Sequence, residues 1–195
     1  MAVKNYTTQQ LLNRVKTLPS FKQIPTGIWL LGVRAEKCIP DTFCDKMYQF
    51  NGESFLQVTT CTTDPGAAGL LNYKQFNTDG IGVVKDEEWY YNLWTYGLHK
   101  EKMPALKQVG NIKYFRDSDG DKFPEEIGVV HEGVIGIDWH TATYLTDPKI
   151  ISTLVVPTVG TWSLGCQVQN DVEDYYNMLN RMKSASVSYC LIKEF

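Results

Sequence analysis

The feature of this chain that most constrains its fold is a series of short apolar and aromatic runs separated by turn residues. Each run has the length of one strand, and Asn51-Gly52 between two of them is a pair typical of a tight hairpin. Many short strands at close spacing favour a β-sandwich or a barrel-like architecture. We therefore expect a mainly β fold with a few helices, of the α+β class. The strands are predicted at residues 27–34, 43–50, 55–60, 81–84, 89–94, 112–115 and 187–192.

Helix signals lie near both ends of the chain. Thr7 is followed three residues later by Gln10, which is the pattern of a capping box, and an N-terminal helical segment is predicted at about 7–18. Residues 171–182 are acidic at their start and basic at their end, as the helix dipole favours. The chain has 195 residues without repeats, low-complexity segments or an evident linker, so we expect one domain over residues 1–195.

Composition excludes several classes of partner. The net charge is −3 and no basic stripe is present, so we expect no binding to nucleic acid. No apolar stretch approaches the roughly 20 residues that span a bilayer, and the first ten residues lack the apolar core of a signal peptide. We expect a soluble globular protein that is made in the cytoplasm and has no membrane anchor. The sequence does not fix its oligomeric state.

The five cysteines include no Cys-x-x-Cys pair, which argues against a zinc ribbon or a thioredoxin-like site. Cys38 and Cys44 are close enough in sequence for a short disulfide, but free thiols are the expectation in a reducing cytoplasm. Cys190 lies in a predicted strand and is interpreted as a thiol of the core.

The stretch Ser163-Leu164-Gly165-Cys166-Gln167 carries the most chemical information. A thiol beside a glycine turn and its backbone N–H groups has what acyl transfer through a cysteine needs to hold an oxyanion. Upstream, the alternation in residues 133–140 predicts a strand that ends at His140, with Asp138 on the same face. An imidazole titrates near neutral pH, so His140 can take the thiol proton and stabilise the thiolate. The alternative is that Cys166 is a small buried thiol in a glycine turn.

These stretches resemble the active-site signature of the L,D-transpeptidase (YkuD-like) catalytic domain. The resemblance rests on Ile137-Asp138-Trp139-His140 and on Val159–Val168, and it is closest to phage and prophage members with a Trp-Ser-x-Gly-Cys-Gln turn. Thr63–Gly66, Tyr96–His99 and Phe115–Asp117 also look like parts of that pattern. The resemblance implies a single β-rich catalytic domain that acts on peptidoglycan stem peptides through an acyl-enzyme, without a cofactor.

The resemblance also implies roles for individual residues. Cys166 is the expected nucleophile and His140 its base, with backbone N–H groups around Gly165 and Cys166 holding the oxyanion. Ser163 is expected to steady the turn or to hydrogen-bond His140 or the substrate, and Asp138 to orient His140. The remaining candidates for contacts with substrate are Trp162, Gln167 and His99, of which His99 has an ordinary turn histidine as its alternative. The acyl-enzyme would be resolved by an amine, giving a cross-link, or by water, giving cleavage. A phage-type protein would reach the cell wall after release through a permeabilised membrane or as part of a virion.

Three departures limit what the resemblance implies, and the first two favour an alternative function. Leu164 stands where the family often has histidine, and Val168 stands where an arginine is common. The segment 141–158 is also longer than expected, and it is interpreted as a lid, a specificity wall or ordinary surface variation. The alternative is a phage structural or cell-wall-binding protein that retains the fold without the chemistry.

A weaker candidate site is the alternation of Asp117, Asp119 and Asp121, which resembles the first ligands of a calcium loop. An EF-hand needs glycine at its sixth position and glutamate at its twelfth, where this chain has Lys122 and Gly128. An Asp- and Gly-rich hairpin turn is therefore the expectation, and a calcium-stabilised binding module is the alternative.

Overall fold

The computed structural model describes residues 2–184 and 186–195, and within them a closed eight-stranded β-barrel. The barrel strands are β1 (Ile28–Arg34), β2 (Asp45–Asn51), β3 (Ser54–Thr62), β5 (Glu88–His99), β6 (Met103–Gln108), β9 (Trp139–Thr141), β10 (Gln167–Gln169) and β11 (Ser186–Lys193). Their order around the barrel is β1, β11, β5, β6, β9, β10, β3, β2, and the closure leaves these strands without a free edge. Neighbouring strands are antiparallel except β1 with β11 and β9 with β10, which are parallel.

A second, smaller sheet and five short helices complete the described fold. The second sheet has the order β4 (Ile81–Val84), β7 (Ile112–Asp117) and β8 (His131–Gly133), with antiparallel pairing. The helices are α1 (Thr8–Lys16), α2 (Ala67–Leu71), α3 (Tyr73–Phe76), α4 (Pro148–Ile151) and α5 (Val172–Asn180). The prediction of a mainly β fold with a few helices is therefore confirmed. No helix of the described residues is long and apolar enough to cross a membrane.

Strand β1 is buried on both faces, which explains why its sequence is a continuous apolar run. Trp29, Leu31 and Val33 face a cluster that includes the buried side of α1, whereas Leu30 faces the cluster that contains α5. Helix α1 is held by the predicted capping box, in which the side chains of Thr7 and Gln10 each accept the other residue's backbone N–H. The predicted N-terminal helix is thereby confirmed.

The strand predicted over residues 133–140 is wrong for its central part. β8 ends at Gly133, β9 begins at Trp139, and the residues between them form an irregular loop. The side-chain oxygen of Gln108 accepts the N–H groups of Ile135, Gly136 and Ile137 at 3.0, 2.9 and 2.8 Å. In a strand, successive N–H groups point to opposite edges, but these three point to one oxygen atom. Gly136 adopts a φ of 85°, which glycine allows.

The expectation of free thiols is wrong for one pair of cysteines. Cys38 and Cys44 form a disulfide, with their Cα atoms 5.9 Å apart, a separation that suits the bond. The chain between them turns back on itself within six residues, which brings the two cysteines together. Cys61, Cys166 and Cys190 are free and buried, and Cys190 lies in the core as predicted.

The packing of the barrel predicts that Gly32→Ala destabilises the protein. A methyl group at this position would overlap the hydroxyl of Tyr189, which is itself fixed by a 2.7 Å hydrogen bond to Gln167. We expect a loss of about 1–3 kcal/mol in the free energy of unfolding, measured by urea denaturation. Gly27→Ala is the matched control, because nothing lies within 4 Å of its added carbon, and it should change stability by no more than about 0.5 kcal/mol. Equal stabilities for the two variants would contradict this account of the core.

Candidate active site

Cys166 lies in the wall of a cleft of about 240 Å³ between the barrel and the second sheet. The cleft also receives His99 from the end of β5 and Arg116 from β7, so residues distant in sequence meet there. Its lining residues are Phe76, Asn77, Gly80, Ile81, Gly82, His99, Lys100, Arg116, Ile135, Gly136, Ile137, Thr161, Trp162, Leu164 and Cys166.

The turn before Cys166 is fixed by Ser163 and Gly165. The hydroxyl of Ser163 donates to the carbonyl of Cys166 at 2.8 Å and accepts the N–H of Gly165 at 3.2 Å. Gly165 has a φ of 115°, and an added Cβ would lie 2.5 Å from the carbonyl oxygen of Gly82. Ser163 therefore steadies the turn, which was one of its predicted roles. The N–H of Gly165 is engaged inside the turn and does not face an oxyanion.

His140 is fully buried and has a defined tautomer. Its Nδ1 lies 2.7 Å from the carbonyl oxygen of Thr141. Because a carbonyl oxygen only accepts, Nδ1 carries the proton, and Nε2 of the neutral ring has a free lone pair. Nε2 is buried and has no hydrogen-bond partner in the part of the chain that the structure describes.

Asp138 contacts His99 and not His140. Its Oδ2 lies 2.8 Å from Nδ1 of His99 and 2.6 Å from the ammonium of Lys107, and its Oδ1 accepts the N–H of Gln108 at 3.0 Å. The predicted orientation of His140 by Asp138 is therefore not observed. It assumed that residues 133–140 alternate as a strand, and the irregular loop turns Asp138 toward β6 instead.

The two histidines and the cysteine form one compact group. The rings of His99 and His140 stack with their centroids 4.1 Å apart and an angle of 23° between their planes. One donor atom from each of His99, His140 and Cys166 lies within 4.8 Å of the other two. His99 is thus a member of the site, not an ordinary turn residue. Among the described residues, no other three His, Cys, Asp or Glu side chains form such a group.

Burial keeps the Cys–His pair neutral. It lowers the pKa of His140 to about 3, with a further contribution from the neighbouring His99. It raises the pKa of the Cys166 thiol to about 12. At neutral pH the site therefore holds a thiol and a neutral imidazole, and not the thiolate and imidazolium that the sequence predicts. Burial by itself would raise the pKa of Asp138, but the hydrogen bonds from His99 and Lys107 outweigh it and hold the pKa below its usual value.

Two predicted substrate contacts lie in different surroundings. Trp162 lines the cleft and packs against Tyr144, whose ring centroid is 5.1 Å away in the segment 141–158. That segment contains α4 and reaches the cleft through this contact. Gln167 is fully buried, accepts the hydroxyl of Tyr189 at 2.7 Å, and donates to the carbonyls of Thr63 and Gly165 at 3.3 Å each. It supports the turn from behind and is not part of the cleft lining.

The candidate calcium loop is used to hold its own backbone. Asp117, Asp119 and Asp121 accept the N–H groups of Glu125, Asp121 and Phe123 at 2.9, 2.9 and 2.6 Å. The contacts of Asp119 and Asp121 each span two residues, as in Asx turns, whereas Asp117 bonds across the loop to Glu125. They agree with the expected turn structure between β7 and β8. Within the described residues, the three carboxylates do not form a converging donor group.

Sequence reasoning missed Gln108, Lys107, Lys100 and Arg116. Gln108 also donates from its Nε2 to the carbonyls of Gly110 and Gly133 at 2.9 and 3.0 Å, so its whole amide serves the loop. A glutamine carries no local signal for such a role. Arg116 lies within Phe115–Asp117, which is part of the family resemblance, and Lys100 follows the candidate His99, so the sequence contains a signal for these two positions.

The segments that carry the family resemblance meet around the cleft. His99 and Arg116 line it, and the N–H of Gly66 donates to the carbonyl of Ser163 at 2.9 Å. Comparisons of this chain with protein-family models, with curated proteins and with solved structures found no match.

The buried imidazole predicts a specific dependence of stability on pH. His140 has a folded-state pKa of about 3 and an unfolded value near 6.5, so between these values only the unfolded state binds the proton. Its contribution to the free energy of unfolding is complete above pH 6.5 and falls by up to about 1.4 kcal/mol per pH unit toward pH 3.

Urea denaturation of the wild type and of His140→Asn across this range isolates that contribution, because the other titrating groups are shared. We expect the stability difference between the two proteins to shrink as the pH falls. His131→Asn, at an exposed histidine, is the control for the removal of one imidazole away from the cleft. Parallel curves for His140→Asn would contradict the assignment of a buried neutral imidazole.

Proposed function

We propose that this protein is a cysteine-dependent acyl-transfer enzyme that acts on peptidoglycan stem peptides. The observation that carries the proposal is a free thiol in a cleft wall with a ring nitrogen of a buried histidine within 4.8 Å. The resemblance to L,D-transpeptidases supplies the substrate class, and the phage-type turn supplies the setting, in which the protein reaches the wall after release or in a virion.

In the proposed reaction His140 acts as a general base during the attack. The thiol proton moves to Nε2 of His140 as the sulfur of Cys166 bonds to the peptide carbonyl carbon. The resulting imidazolium then gives this proton to the leaving amine, and the acyl group remains on the sulfur as a thioester. An incoming amine or water attacks the thioester carbonyl and loses its proton to Nε2 of His140. The carbon–sulfur bond then breaks, and the imidazolium returns the proton to the sulfur, which regenerates the thiol. The sulfur and the ring nitrogen lie within 4.8 Å, and the proton transfer requires them to approach to hydrogen-bond distance during the attack.

The charged pair Asp138–Lys107 supports the proton transfer from behind His99. The negative charge of Asp138 raises the pKa of His140 and thus favours the imidazolium that forms during the attack. His99 lies between this carboxylate and the His140 ring, bonded to the first and stacked on the second. It is a positioning residue in this mechanism.

The charge of the cleft supports a substrate that carries a free carboxylate. Lys100 and Arg116 line it, and none of the described residues that line it is Asp or Glu. Arg116 is held by a 3.0 Å hydrogen bond to the carbonyl of Gly80, and its guanidinium lies 4.9 Å from the ring centroid of Tyr114. In this proposal Arg116 binds the substrate carboxylate, which is the role of the family arginine that Val168 replaces.

The second candidate is a non-catalytic cell-wall-binding or phage structural protein with the same fold. Leu164, Val168 and the raised pKa of Cys166 favour it. The two functions differ in one observable, because a binding protein retains peptidoglycan without releasing or joining peptides.

The proposal predicts that Cys166→Ala abolishes turnover while the fold is kept. Purified muropeptides are incubated with the wild type, and products are followed by liquid chromatography and mass spectrometry. A thioester adduct on the Cys166 peptide is expected after rapid acid quenching. Cys190→Ala, which removes a buried thiol outside the cleft, is the control and should form the adduct. Full turnover by Cys166→Ala would refute the acyl-enzyme, and retention of muropeptides without products would favour the binding protein.

A further prediction concerns the substrate carboxylate. Arg116→Gln should raise KM for a stem peptide with a free terminal carboxylate by roughly 10- to 100-fold with little change in kcat, because one charge-assisted hydrogen bond is lost. The variant should no longer distinguish that peptide from its terminal amide, and Arg116→Lys should recover part of the difference. The control is Arg181→Gln, since Arg181 bonds Gln49 and Gln57 and does not line the cleft. An unchanged preference for the acid in Arg116→Gln would rule out this role.

A further inference from the structure

The group formed by His99, His140 and Cys166 has the composition of a soft-metal site. Imidazole nitrogen and thiolate sulfur are the donors that Zn²⁺ selects, and three protein ligands with one open position are typical of zinc sites that remain accessible. The three donor atoms lie within 4.8 Å of one another. The cysteine chemistry proposed above uses the sulfur and one imidazole but leaves the second imidazole without a donor role.

The hydrogen bonds behind both histidines select the tautomer that a metal needs. Nδ1 of His99 lies 2.8 Å from the carboxylate of Asp138, and Nδ1 of His140 lies 2.7 Å from the carbonyl of Thr141. Both acceptors require a proton on Nδ1, so the lone pair of each neutral ring is on Nε2. A carboxylate or a backbone carbonyl behind the ring is the usual outer partner of a metal-bound histidine.

An unpartnered atom gives an independent indication of a ligand. Nε2 of His140 is fully buried and has no hydrogen-bond partner among the described residues. A buried acceptor without a partner is destabilising, and among the unpartnered buried atoms of the described residues this one belongs to the three-residue donor group. A metal ion at this position would use that lone pair.

We propose that His99, His140 and Cys166 bind one Zn²⁺ ion, with the fourth position open to the cleft. Tetrahedral ligands at ordinary zinc distances lie about 3.4–3.6 Å from one another, so the donors close in by about an ångström. The stacked imidazoles tilt apart as their lone pairs converge, while each keeps its Nδ1 hydrogen bond. As the Zn–S bond forms, the thiol proton passes to solvent, which makes the affinity depend on pH.

Zinc at this site regulates the proposed enzyme, and this consequence rests on the proposed function. The ion occupies both the sulfur that attacks the peptide and the Nε2 lone pair that takes its proton. Acyl transfer therefore stops while zinc is bound and resumes after chelation.

The binding test uses the full chain without reductant, so that the Cys38–Cys44 disulfide stays closed. Zn²⁺ is titrated by calorimetry, and Co²⁺ is used as a spectroscopic substitute. We expect one ion per chain, a thiolate-to-cobalt charge-transfer band, and the visible bands of tetrahedral cobalt. Cys166→Ser should lose the charge-transfer band, and His99→Asn and His140→Asn should each weaken zinc binding by more than tenfold. Asp138→Asn should weaken it by about 10- to 100-fold through the outer partner of His99.

The matched control is His131→Asn, because His131 is an exposed histidine on the second sheet, and it should bind zinc as the wild type does. Circular dichroism confirms that each variant is folded. Absence of zinc binding by the wild type, or binding that His99→Asn, His140→Asn and Cys166→Ser all leave unchanged, would overturn the proposal. Since binding is measured without substrate, a metal-free protein that lacks acyl transfer counts against the proposed function alone.

Discussion

The side chain of Gln108 is the contact on which the geometry of the site depends. One amide oxygen accepts three consecutive backbone N–H groups of the loop between β8 and β9, and the amide nitrogen donates to two carbonyls. The backbone of the same residue holds Asp138. In this loop the carbonyl of Gly136 accepts a hydrogen bond from the Cys166 thiol at 3.5 Å. The carbonyl of Ile137 accepts one from the indole N–H of Trp94 at 2.8 Å. Without this amide, the backbone N–H groups of Ile135, Gly136 and Ile137 would lose their shared hydrogen-bond acceptor.

Closure of the barrel brings the nucleophile turn to the histidines. β9 and β10 are parallel and adjacent, and their register pairs His140 with Val168. Cys166 precedes β10 directly, so it emerges beside the buried ring of His140. β5 extends to His99 on the far side and delivers the second imidazole. The site is therefore built from strand ends, which are rigid, and one loop that a core glutamine holds in place.

The sequence predicts the elements of this fold better than their contacts. The capping box at Thr7, the hairpin after Phe50 and the turn at Ser163 depend on neighbouring residues, and each is present. The hairpin turn is formed by Gly52 and Glu53, because Asn51 is the last residue of β2 and pairs with Ser54. Strand alternation predicts the wrong orientation for Asp138. The side chain of Gln108, 30 residues before Asp138, bonds the backbone N–H groups of residues 135–137 and holds them in a loop, so they do not form a strand. Pairing of Cys38 with Cys44 depends on a local turn that periodicity does not encode. The neutral state of the Cys–His pair depends on burial from several elements, and no local pattern reports it.

Burial of Cys166 and His140 sets the same electrostatic requirement for acyl transfer and for zinc binding. A thiolate at the buried Cys166 is unfavourable unless a positive charge lies beside it. In acyl transfer that charge is the proton that moves onto Nε2 of His140, and it arises only as the sulfur begins to bond to the peptide. In the metal-bound form the charge is Zn²⁺ at the same lone pair, held for as long as the ion is bound. The burial that favours the neutral thiol and imidazole opposes both charged states, and what enters the cleft decides which of them forms. Lys100 and Arg116 attract a peptide carboxylate, which favours acyl transfer. The same two residues repel a cation. Zinc binding must therefore rely on the direct bonds to the three donor atoms and on the carboxylate of Asp138 behind His99.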